Sequence, residues 1–461
     1  MIARYSPGIY YNTAHNVSHL RLVENEVVLL TGSTGNLGAQ LLLSLLSMRT
    51  VKRVYVLNRP HLRNLSMMDR HQARFKEKGL DTSILYSPKL VFLEGRNSLP
   101  GLGLAADAIK ELQGELTMVV HTAWNLNLWA PLSKFESNIK GTRTLIDIVQ
   151  GSEHRADVRF LFTSTISACF SWDRARGPYP EEVIKDAKYA VGLGYGESKY
   201  ITERILAQSG INATILRCGQ FSGGEPNGAW PVWEWFPILL RSALQVGSFP
   251  NIDHCYTQYW VPMDAVSNTI LDIAFSKEKL PLVVNVQQPH TIRGEQVIQM
   301  LRNALVEKVG LPSPDSLPLI HPGEWIWKLR RMMQDDRLSP ESREIVVSRP
   351  RFDLAAVCIP LIRTMLCHSQ EAMINISISY RIPQAPDTPS TDDHSSTSKP
   401  RTTQTVLSLE LDSSNAKRLS STIRELKPID ETMVNKWVEY WVRVGFIERR
   451  SLAASRPHSR L

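Results

Sequence analysis

A tyrosine and a lysine could carry out proton chemistry in the segment Tyr195-Gly196-Glu197-Ser198-Lys199. The surrounding residues 194–208 read as a helix, and a spacing of four places both side chains on one helical face. A free phenol has a pKa of about 10, and a neighbouring ammonium lowers that pKa because it favours the phenolate. We therefore expect Lys199 to depress the pKa of Tyr195, and Tyr195 to donate a proton to a substrate oxygen.

A hydroxyl that positions the same oxygen is expected at the end of the preceding predicted strand. Residues 159–164 read as that strand, and four hydroxyl residues stand at its end: Thr163, Ser164, Thr165 and Ser167. Of these we select Thr165, the alternative being that the hydroxyls only cap the strand. The predicted catalytic set is therefore Thr165, Tyr195 and Lys199.

A glycine-rich segment between a predicted strand and a predicted helix indicates a nucleotide site. Gly32 would permit a tight turn, Gly35 would let the backbone approach a pyrophosphate, and Gly38 would let helix and strand pack closely. Amides and the dipole at the helix N-terminus favour phosphate groups. The predicted site comprises Thr31, Gly32, Thr34, Gly35, Asn36, Leu37 and Gly38.

The end of the second predicted strand indicates which dinucleotide binds. An acidic residue there would hydrogen-bond a ribose 2′-hydroxyl and favour NAD, whereas this chain has Asn58-Arg59. A guanidinium suits a 2′-phosphate because it makes bidentate, charge-assisted hydrogen bonds. We expect Arg59, assisted by Arg70, to select NADPH. The alternative is that Arg59 is a solvated surface residue.

Alternating strand and helix patterns must position these residues. Apolar runs typical of buried strands begin near residues 27, 51, 89, 116, 159 and 213, with helical stretches between them. This alternation predicts a parallel sheet covered by helices on both faces. We predict an α/β fold, a Rossmann-type doubly wound parallel sheet with a smaller, mostly helical C-terminal substrate subdomain.

The chain divides into four predicted parts. Residues 1–24 form a leader, residues 25–290 the NADP-binding Rossmann domain, residues 291–448 the substrate subdomain and residues 449–461 a basic tail. Residues 383–405 are rich in Pro, Ser, Thr and Asp, which predicts a disordered insert. A helix is predicted over residues 430–444, whose apolar positions fall on one face.

Composition argues against several classes of protein. The formal charge of +8 is scattered over 461 residues and thickens only in the tail, so we do not expect a nucleic-acid partner. The five cysteines are too dispersed for a disulfide framework or a metal site. No apolar run is long enough for a signal peptide or a membrane span, so we expect a soluble, metal-free, intracellular protein.

The last three residues indicate a cellular address. Ser459-Arg460-Leu461 resembles a peroxisomal C-terminal signal of the Ser-Lys-Leu kind, which a receptor reads when it is exposed. We expect either the peroxisome, with its import receptor as a partner, or the cytoplasm.

Several motifs together resemble one narrower family. They are LLTGSTGNLGAQLL, VVHTAWNLNLWAPLSKFESNIKGTRTLID, GYGESKYITERIL, ILRCGQFSGG, GAWPVWEWFP and YWVPMDAVS. In this order they look like the thioester-reductase domain of fungal adenylate-forming reductases and of peptide and polyketide synthetases. That domain is related to male-sterility fatty acyl reductases, in the extended short-chain dehydrogenase/reductase superfamily. The resemblance covers about residues 20–330 and returns at 416–446.

The resemblance implies further site residues. His121 and Ala123 would line the ribose side of NADPH, and the stretch from Arg217 to Gln220 would border the nicotinamide. Four tryptophans would line the substrate channel: Trp124, Trp230, Trp233 and Trp235. For the last three, the alternative is a hydrophobic cover between subdomains.

The resemblance also implies a reaction, with rivals. NADPH would reduce an acyl thioester carried on CoA or on the phosphopantetheine arm of a carrier protein, giving an aldehyde or, after a second hydride transfer, an alcohol. The alternative enzyme reduces a free ketone or aldehyde. A non-catalytic NADP(H) sensor is the third possibility, and the Tyr195–Lys199 pair argues against it.

Overall fold

A seven-stranded parallel sheet forms the centre of the protein. The computed structural model describes residues 1–6, 25–128, 130–251, 257–333, 348–349, 352–353 and 409–449. The strands are β1 Glu26–Thr31, β2 Val51–Asn58, β3 Leu90–Glu94, β4 Met118–His121, β5 Arg159–Thr165, β6 Asn212–Cys218 and β7 Val283–Val286. Their order is β7-β6-β5-β4-β1-β2-β3, so the chain reverses direction across the sheet between β1 and β4. Ligands of doubly wound sheets bind at this switch point, at the carboxyl ends of the strands.

Helices cover both faces of the sheet. They are α1 Asn36–Ser47, α2 Met67–Lys78, α3 Ala106–Glu115, α4 Glu136–Gln150, α5 Gly194–Gln208, α6 Trp235–Val246, α7 Met263–Ala274, α8 Gly294–Val309, α9 Pro322–Met333, α10 Ser414–Leu419, α11 Ser421–Arg424 and α12 Glu431–Arg443. A four-residue helix, Ile2–Tyr5, precedes them. Strands β1 and β5 are buried along their whole length, as expected of strands covered on both sides. The predicted α/β doubly wound fold is confirmed.

Short connections and two-residue strands complete the described chain. The 3₁₀ helices are Thr82–Tyr86, Pro100–Gly103, Leu132–Phe135, Ile166–Cys169, Arg174–Arg176, Ala187–Tyr189 and Pro314–Ser316. The short strands are Phe221–Ser222, Phe249–Pro250, Thr257–Gln258, Val261–Pro262, Ile292–Arg293, Leu319–Ile320, Ser348–Arg349 and Phe352–Asp353.

The seventh strand, β7, has no counterpart among the six predicted strands. It is only four residues long, too short for a periodic pattern to distinguish it from a loop. Its pairing with β6 places Val286 beside Cys218, which is itself paired with Thr165 of β5. These three strand ends therefore form one row at the carboxyl edge of the sheet.

A second hydrophobic core lies in the C-terminal part, and it begins before the predicted boundary at residue 290. It joins α6, α8, α9 and α12 around five fully buried tryptophans: Trp230, Trp260, Trp325, Trp437 and Trp441. Conversely, Ala416, Leu419 and Ile423 pack against the Rossmann core beside α7. Residues before position 290 therefore contribute to the second core, and residues after it contribute to the Rossmann core, so no single residue divides the chain into two domains.

Some predictions concern residues outside the described ranges. These are most of the leader, the insert at 383–405, and the tail from residue 450 with its terminal tripeptide. Among the described helices, none is long and apolar enough to cross a membrane.

Candidate active site

The glycine loop closes tightly between β1 and α1. Gly32 has a φ of +76°, and a side chain there would meet the Ala123 backbone nitrogen at 2.9 Å. A side chain at Gly38 would overlap the Gly32 carbonyl oxygen. Gly35 is the N-cap of α1 and provides no side-chain cap, so no side chain occupies the amide end of the helix. This cradle fits a dinucleotide pyrophosphate, because bare amides and space for close approach are what that group needs.

A buried hydrogen-bonded chain, which the sequence analysis missed, holds this loop against β2 and α2. Asn58 Nδ2 donates to Ser33 Oγ at 2.6 Å, and Ser33 Oγ lies 2.8 Å from His71 Nε2. The other ring nitrogen of His71 lies 2.7 Å from the Met67 carbonyl oxygen. These distances assign the Nδ1–H tautomer, with Ser33 donating to Nε2. Burial lowers the pKa of His71, so the imidazole stays neutral.

Cationic side chains surround the end of β2. Arg70 Nη1 donates to the Arg59 carbonyl oxygen at 2.9 Å, and its Nη2 lies 3.4 Å from Thr34 Oγ1. Arg59 is exposed, and burial lowers the pKa of Arg70, an effect that the Glu94 carboxylate opposes and the Arg59 charge reinforces. Arg74, which was not predicted, donates to the Thr34 carbonyl oxygen and to Asn36 Oδ1, each at 3.1 Å. Arg70 thus lies at the end of β2 among the Thr34 hydroxyl, the Arg59 cation and the Glu94 carboxylate.

His121 is placed differently from its predicted position along the ribose. Its ring is buried and lies 2.7 Å from Thr31 Oγ1 and 2.9 Å from Thr142 Oγ1. Because Thr31 Oγ1 also accepts the amides of Thr122 and Ala123, its proton goes to His121 Nδ1. Burial, reinforced by Lys199, lowers the His121 pKa to about 3. The neutral histidine therefore joins β1 to β4 at the switch point, and the Ala123 backbone and the Thr122 hydroxyl face the glycine loop.

Thr165, Tyr195 and Lys199 come together at the carboxyl end of β5, as predicted. The Tyr195 phenol lies close enough to the Thr165 hydroxyl for that hydroxyl to lower its pKa. Thr165 Oγ1 also accepts the Ser167 amide at 3.2 Å, which fixes the rotamer of the hydroxyl. Lys199 Nζ donates to the Thr163 carbonyl oxygen at 2.6 Å and lies 6.0 Å from the centre of the Tyr195 ring.

The electrostatics of this cluster differ from expectation. Burial raises the pKa of Tyr195 to about 12, and Thr165 offsets only part of that effect. Burial lowers the pKa of Lys199 to about 7. The prediction that Lys199 depresses the tyrosine pKa is therefore wrong for this structure, because the ammonium is directed at the Thr163 carbonyl. At neutral pH Tyr195 is a protonated hydrogen-bond donor.

Trp124 lies over the lysine. Its ring centre is 4.0 Å from Lys199 Nζ, a cation–π distance. Its indole nitrogen donates to Ser198 Oγ at 3.1 Å, and Ser198 Oγ donates to the Tyr195 carbonyl oxygen at 2.6 Å. Trp124 was predicted to line the substrate channel, and the structure adds that its ring covers Lys199.

The other predicted tryptophans separate into core and surface. Trp230 is 1% exposed within the second core, so the hydrophobic-cover alternative describes it and the substrate assignment is wrong. Trp235 packs against the same core, 5.5 Å from the Phe236 ring centre. Trp233 is 41% exposed and lies beside Arg74, at 5.9 Å.

Arg217 and Gln220, the two ends of the stretch predicted to border the nicotinamide, have different surroundings. Arg217 is fully buried and forms a bidentate ion pair with Glu203, with an Nη2–Oε2 distance of 2.7 Å. It also donates to the carbonyl oxygens of Pro180 and Glu182, in the loop that precedes α5. Arg217 therefore connects β6, α5 and this loop, and it does not border the nicotinamide. Gln220 keeps a buried Oε1 without a hydrogen-bond partner among the described residues. That free acceptor, two residues beyond β6, fits the nicotinamide carboxamide.

Comparison with known proteins agrees with this geometry. A family model for NAD-binding domains, described as male sterility protein, matches residues 30–270, more than half of the chain. The adenylate-forming reductases Nps9 and Nps11 of Serpula lacrymans var. lacrymans are 42% and 38% identical over 331 and 421 residues. The matches cover 71% and 91% of this chain but 30% and 35% of those relatives, so the chain spans about a third of their length.

Solved structures share the fold. The terminal R domain of the myxalamid PKS-NRPS pathway superposes with a TM-score of 0.71 at 18% identity, covering 98% of this chain and 99% of that one. A thiolation-reductase di-domain from an archaeal non-ribosomal peptide synthetase superposes with a TM-score of 0.63 at 16% identity, covering 92% and 77%. The chain belongs to the male sterility protein family of NAD(P)-binding oxidoreductases, within the extended short-chain dehydrogenase/reductase superfamily.

Proposed function

We propose that this protein is an NADPH-dependent reductase that converts an acyl thioester, bound to CoA or to a carrier protein, into an aldehyde in secondary metabolism. The observation that carries the proposal is the clustering of Thr165, Tyr195 and Lys199 at the carboxyl end of β5, where Lys199 donates to the Thr163 carbonyl oxygen. The bare amide end of α1 lies across the switch point in the same crevice.

The chain's own residues would act on the substrate oxygen. The nicotinamide, when bound, supplies a hydride to the thioester carbonyl carbon. Thr165 and Tyr195 would donate hydrogen bonds to the carbonyl oxygen as negative charge develops on it, and Tyr195 would transfer its proton to that oxygen. Because its pKa lies near 12, Tyr195 holds the proton until the oxygen becomes basic. The resulting thiohemiacetal loses its C–S bond, which gives aldehyde and free thiol.

Lys199 would bind the ribose of the cofactor. Its ammonium is buried, 2% exposed, and donates to the Thr163 carbonyl oxygen, which leaves other N–H donors for a ribose hydroxyl. His121 and Thr31 would hold the floor of the site rigid without contacting substrate. Gln220 would accept a hydrogen bond from the nicotinamide carboxamide and thereby fix the orientation of the nicotinamide ring.

NADPH is proposed over NADH because of the charges around β2. The guanidiniums of Arg59 and Arg70 and the hydroxyl of Thr34 can all bind a 2′-phosphate, whereas no acidic side chain follows β2 directly to bind a 2′-hydroxyl. Arg70→Gln should raise the KM for NADPH by about tenfold to a hundredfold and leave the KM for NADH nearly unchanged. Equal effects on both cofactors would show that Arg70 does not bind the 2′-phosphate.

A substrate panel tests the reaction itself. Purified protein is given NADPH with acyl-CoAs, an acyl carrier thioester and the matching free aldehydes and ketones. We expect turnover with thioesters and a loss of about a hundredfold or more in Tyr195→Phe. Tyr440→Phe is the matched control, because that phenol lies on α12 and contacts Glu77. Turnover of free carbonyls alone would favour the second candidate, a pathway reductase of an aldehyde or ketone.

A further inference from the structure

A polar cavity of about 600 Å³ opens at the carboxyl edge of the sheet, beyond β7. Its wall combines four separate segments: Pro178 and Pro180 before α5, Tyr259 before α7, Gln287 and Gln288 after β7, and residues 410–414 at the start of α10. The volume falls within the range of small-molecule sites. No part of the cradle or of the catalytic set described above lines it.

The register of the sheet gives its distance from the reacting carbon. Thr165, Cys218 and Val286 stand side by side on β5, β6 and β7. Adjacent strands lie about 4.8 Å apart, so the end of β7 is about 10 Å from Thr165. Gln287 follows Val286 directly and lines the cavity. An acyl group whose thioester carbonyl is bound by Thr165 and Tyr195 could therefore extend along the row of strand ends into this cavity.

A closely packed turn after β6 separates the cavity from Tyr195 and Lys199. Gly219 follows Cys218, and a side chain added to Gly219 would lie 3.6 Å from the Tyr259 carbonyl oxygen and 3.8 Å from Gln287 Cγ. Cys218 in turn is close enough to Tyr195 and Lys199 to affect the pKa of each. The cavity wall and the catalytic pair thus border the same two-residue turn after β6.

The lining is arranged for hydrogen bonding. Gln287 and Gln288 are already occupied, since their side chains bond the Leu409 and Lys427 carbonyl oxygens. The Tyr259 phenol, the Thr291 hydroxyl and the Glu410 carboxylate line the cavity and make no side-chain hydrogen bond within the described residues. Burial and the Glu410 charge raise the pKa of Tyr259, and the Arg174 charge opposes them only in part, so the phenol remains a donor.

We infer that this cavity is the recognition site for the distal end of the acyl group, and that it selects a group with a hydroxyl or amide about 10 Å from the thioester carbon over a plain alkyl chain. The inference rests on the proposed function. A site with uncommitted polar groups discriminates strongly against an apolar analogue, because binding that analogue leaves those groups without partners. Tyr259 is the residue that would contact the distal polar group most directly.

Binding and turnover test the inference separately. Octanoyl-CoA and its omega-hydroxy analogue are titrated by calorimetry into Tyr195→Phe and into Tyr195→Phe/Tyr259→Phe, neither of which consumes the ligand. We expect the hydroxy analogue to bind about tenfold more tightly to the first protein and the two ligands to bind equally to the second. Tyr86→Phe, an exposed tyrosine after α2, is the control and should leave the preference intact.

The outcomes are distinct. Equal Kd values for the two ligands in Tyr195→Phe, or a preference that survives Tyr259→Phe, would overturn the inference. If the otherwise native enzyme still reduces octanoyl-CoA in that case, the proposed function stands. Loss of the hydroxy preference in Tyr195→Phe/Tyr259→Phe, with the preference retained when Tyr86→Phe replaces Tyr259→Phe, would support the cavity as the acyl-recognition site.

Discussion

Replacing Lys199 with methionine should stabilise the folded protein while inactivating it. The ammonium is 2% exposed, and burial lowers its pKa from 10.5 to about 7. Each pKa unit corresponds to about 1.4 kcal/mol, so holding this lysine charged costs about 5 kcal/mol below pH 7. Methionine removes that cost but also removes the donor to the Thr163 carbonyl oxygen, a loss of about 1–3 kcal/mol. We expect a net gain of about 2–4 kcal/mol at or below pH 7.

The pH dependence of this gain has a definite sign. Between pH 7 and 10.5 the unfolded chain binds a proton on Lys199 that the folded chain does not, so this residue makes wild-type stability rise with pH in that window. The difference between wild type and Lys199→Met should therefore shrink as the pH rises from 7 to about 10. Denaturant unfolding of both proteins at several pH values measures it.

An exposed lysine provides the control. Lys110→Met on α3 should change the free energy of unfolding by less than about 0.5 kcal/mol at every pH. The reasoning is refuted if Lys199→Met destabilises the protein by the same amount at pH 7 and at pH 10, because the lysine would then be contributing packing and no titratable cost.

Three further substitutions test other parts of the account. Gly38→Ala should abolish NADPH binding in a fluorescence titration, because its side chain would overlap the Gly32 carbonyl oxygen, whereas Gly114→Ala, with open space around it, should bind normally. Glu203→Gln should lower the free energy of unfolding by about 3–5 kcal/mol, since it leaves the Arg217 guanidinium buried without its counter-charge; a loss below 1 kcal/mol would contradict this role. Trp124→Leu should reduce kcat about tenfold with little change in the NADPH Kd, and exposed Trp233→Leu should not.

Local patterns were sufficient to predict the frame of the fold and the placement of Tyr195 and Lys199 on one helix. The run before Gly32 and the four-residue spacing of Tyr195 and Lys199 each lie within one element, so their structural meaning is visible in a short window. The last predicted helix, residues 430–444, corresponds to α12 Glu431–Arg443 for the same reason.

Contacts between distant segments could not be predicted in this way. The family resemblance implied that Arg217 borders the nicotinamide, yet its partner Glu203 is on α5 and its other partners lie in the loop before that helix. Likewise, the second hydrogen-bond partner of His121 is Thr142, which lies on α4. Burial then shifted the Tyr195 pKa upward, against the expectation from its neighbouring lysine, because desolvation depends on the whole surrounding fold.

The stoichiometry of a single reaction tests the central claim most directly. NADPH oxidation and free-thiol release are followed together while the enzyme consumes an acyl-CoA, with Tyr195→Phe in parallel. The account predicts one thiol for every one NADPH oxidised if the aldehyde leaves, or for every two if it is reduced again, and about a hundredfold slower release of thiol by the variant. NADPH oxidation without thiol release, or equal rates in the two proteins, would contradict it.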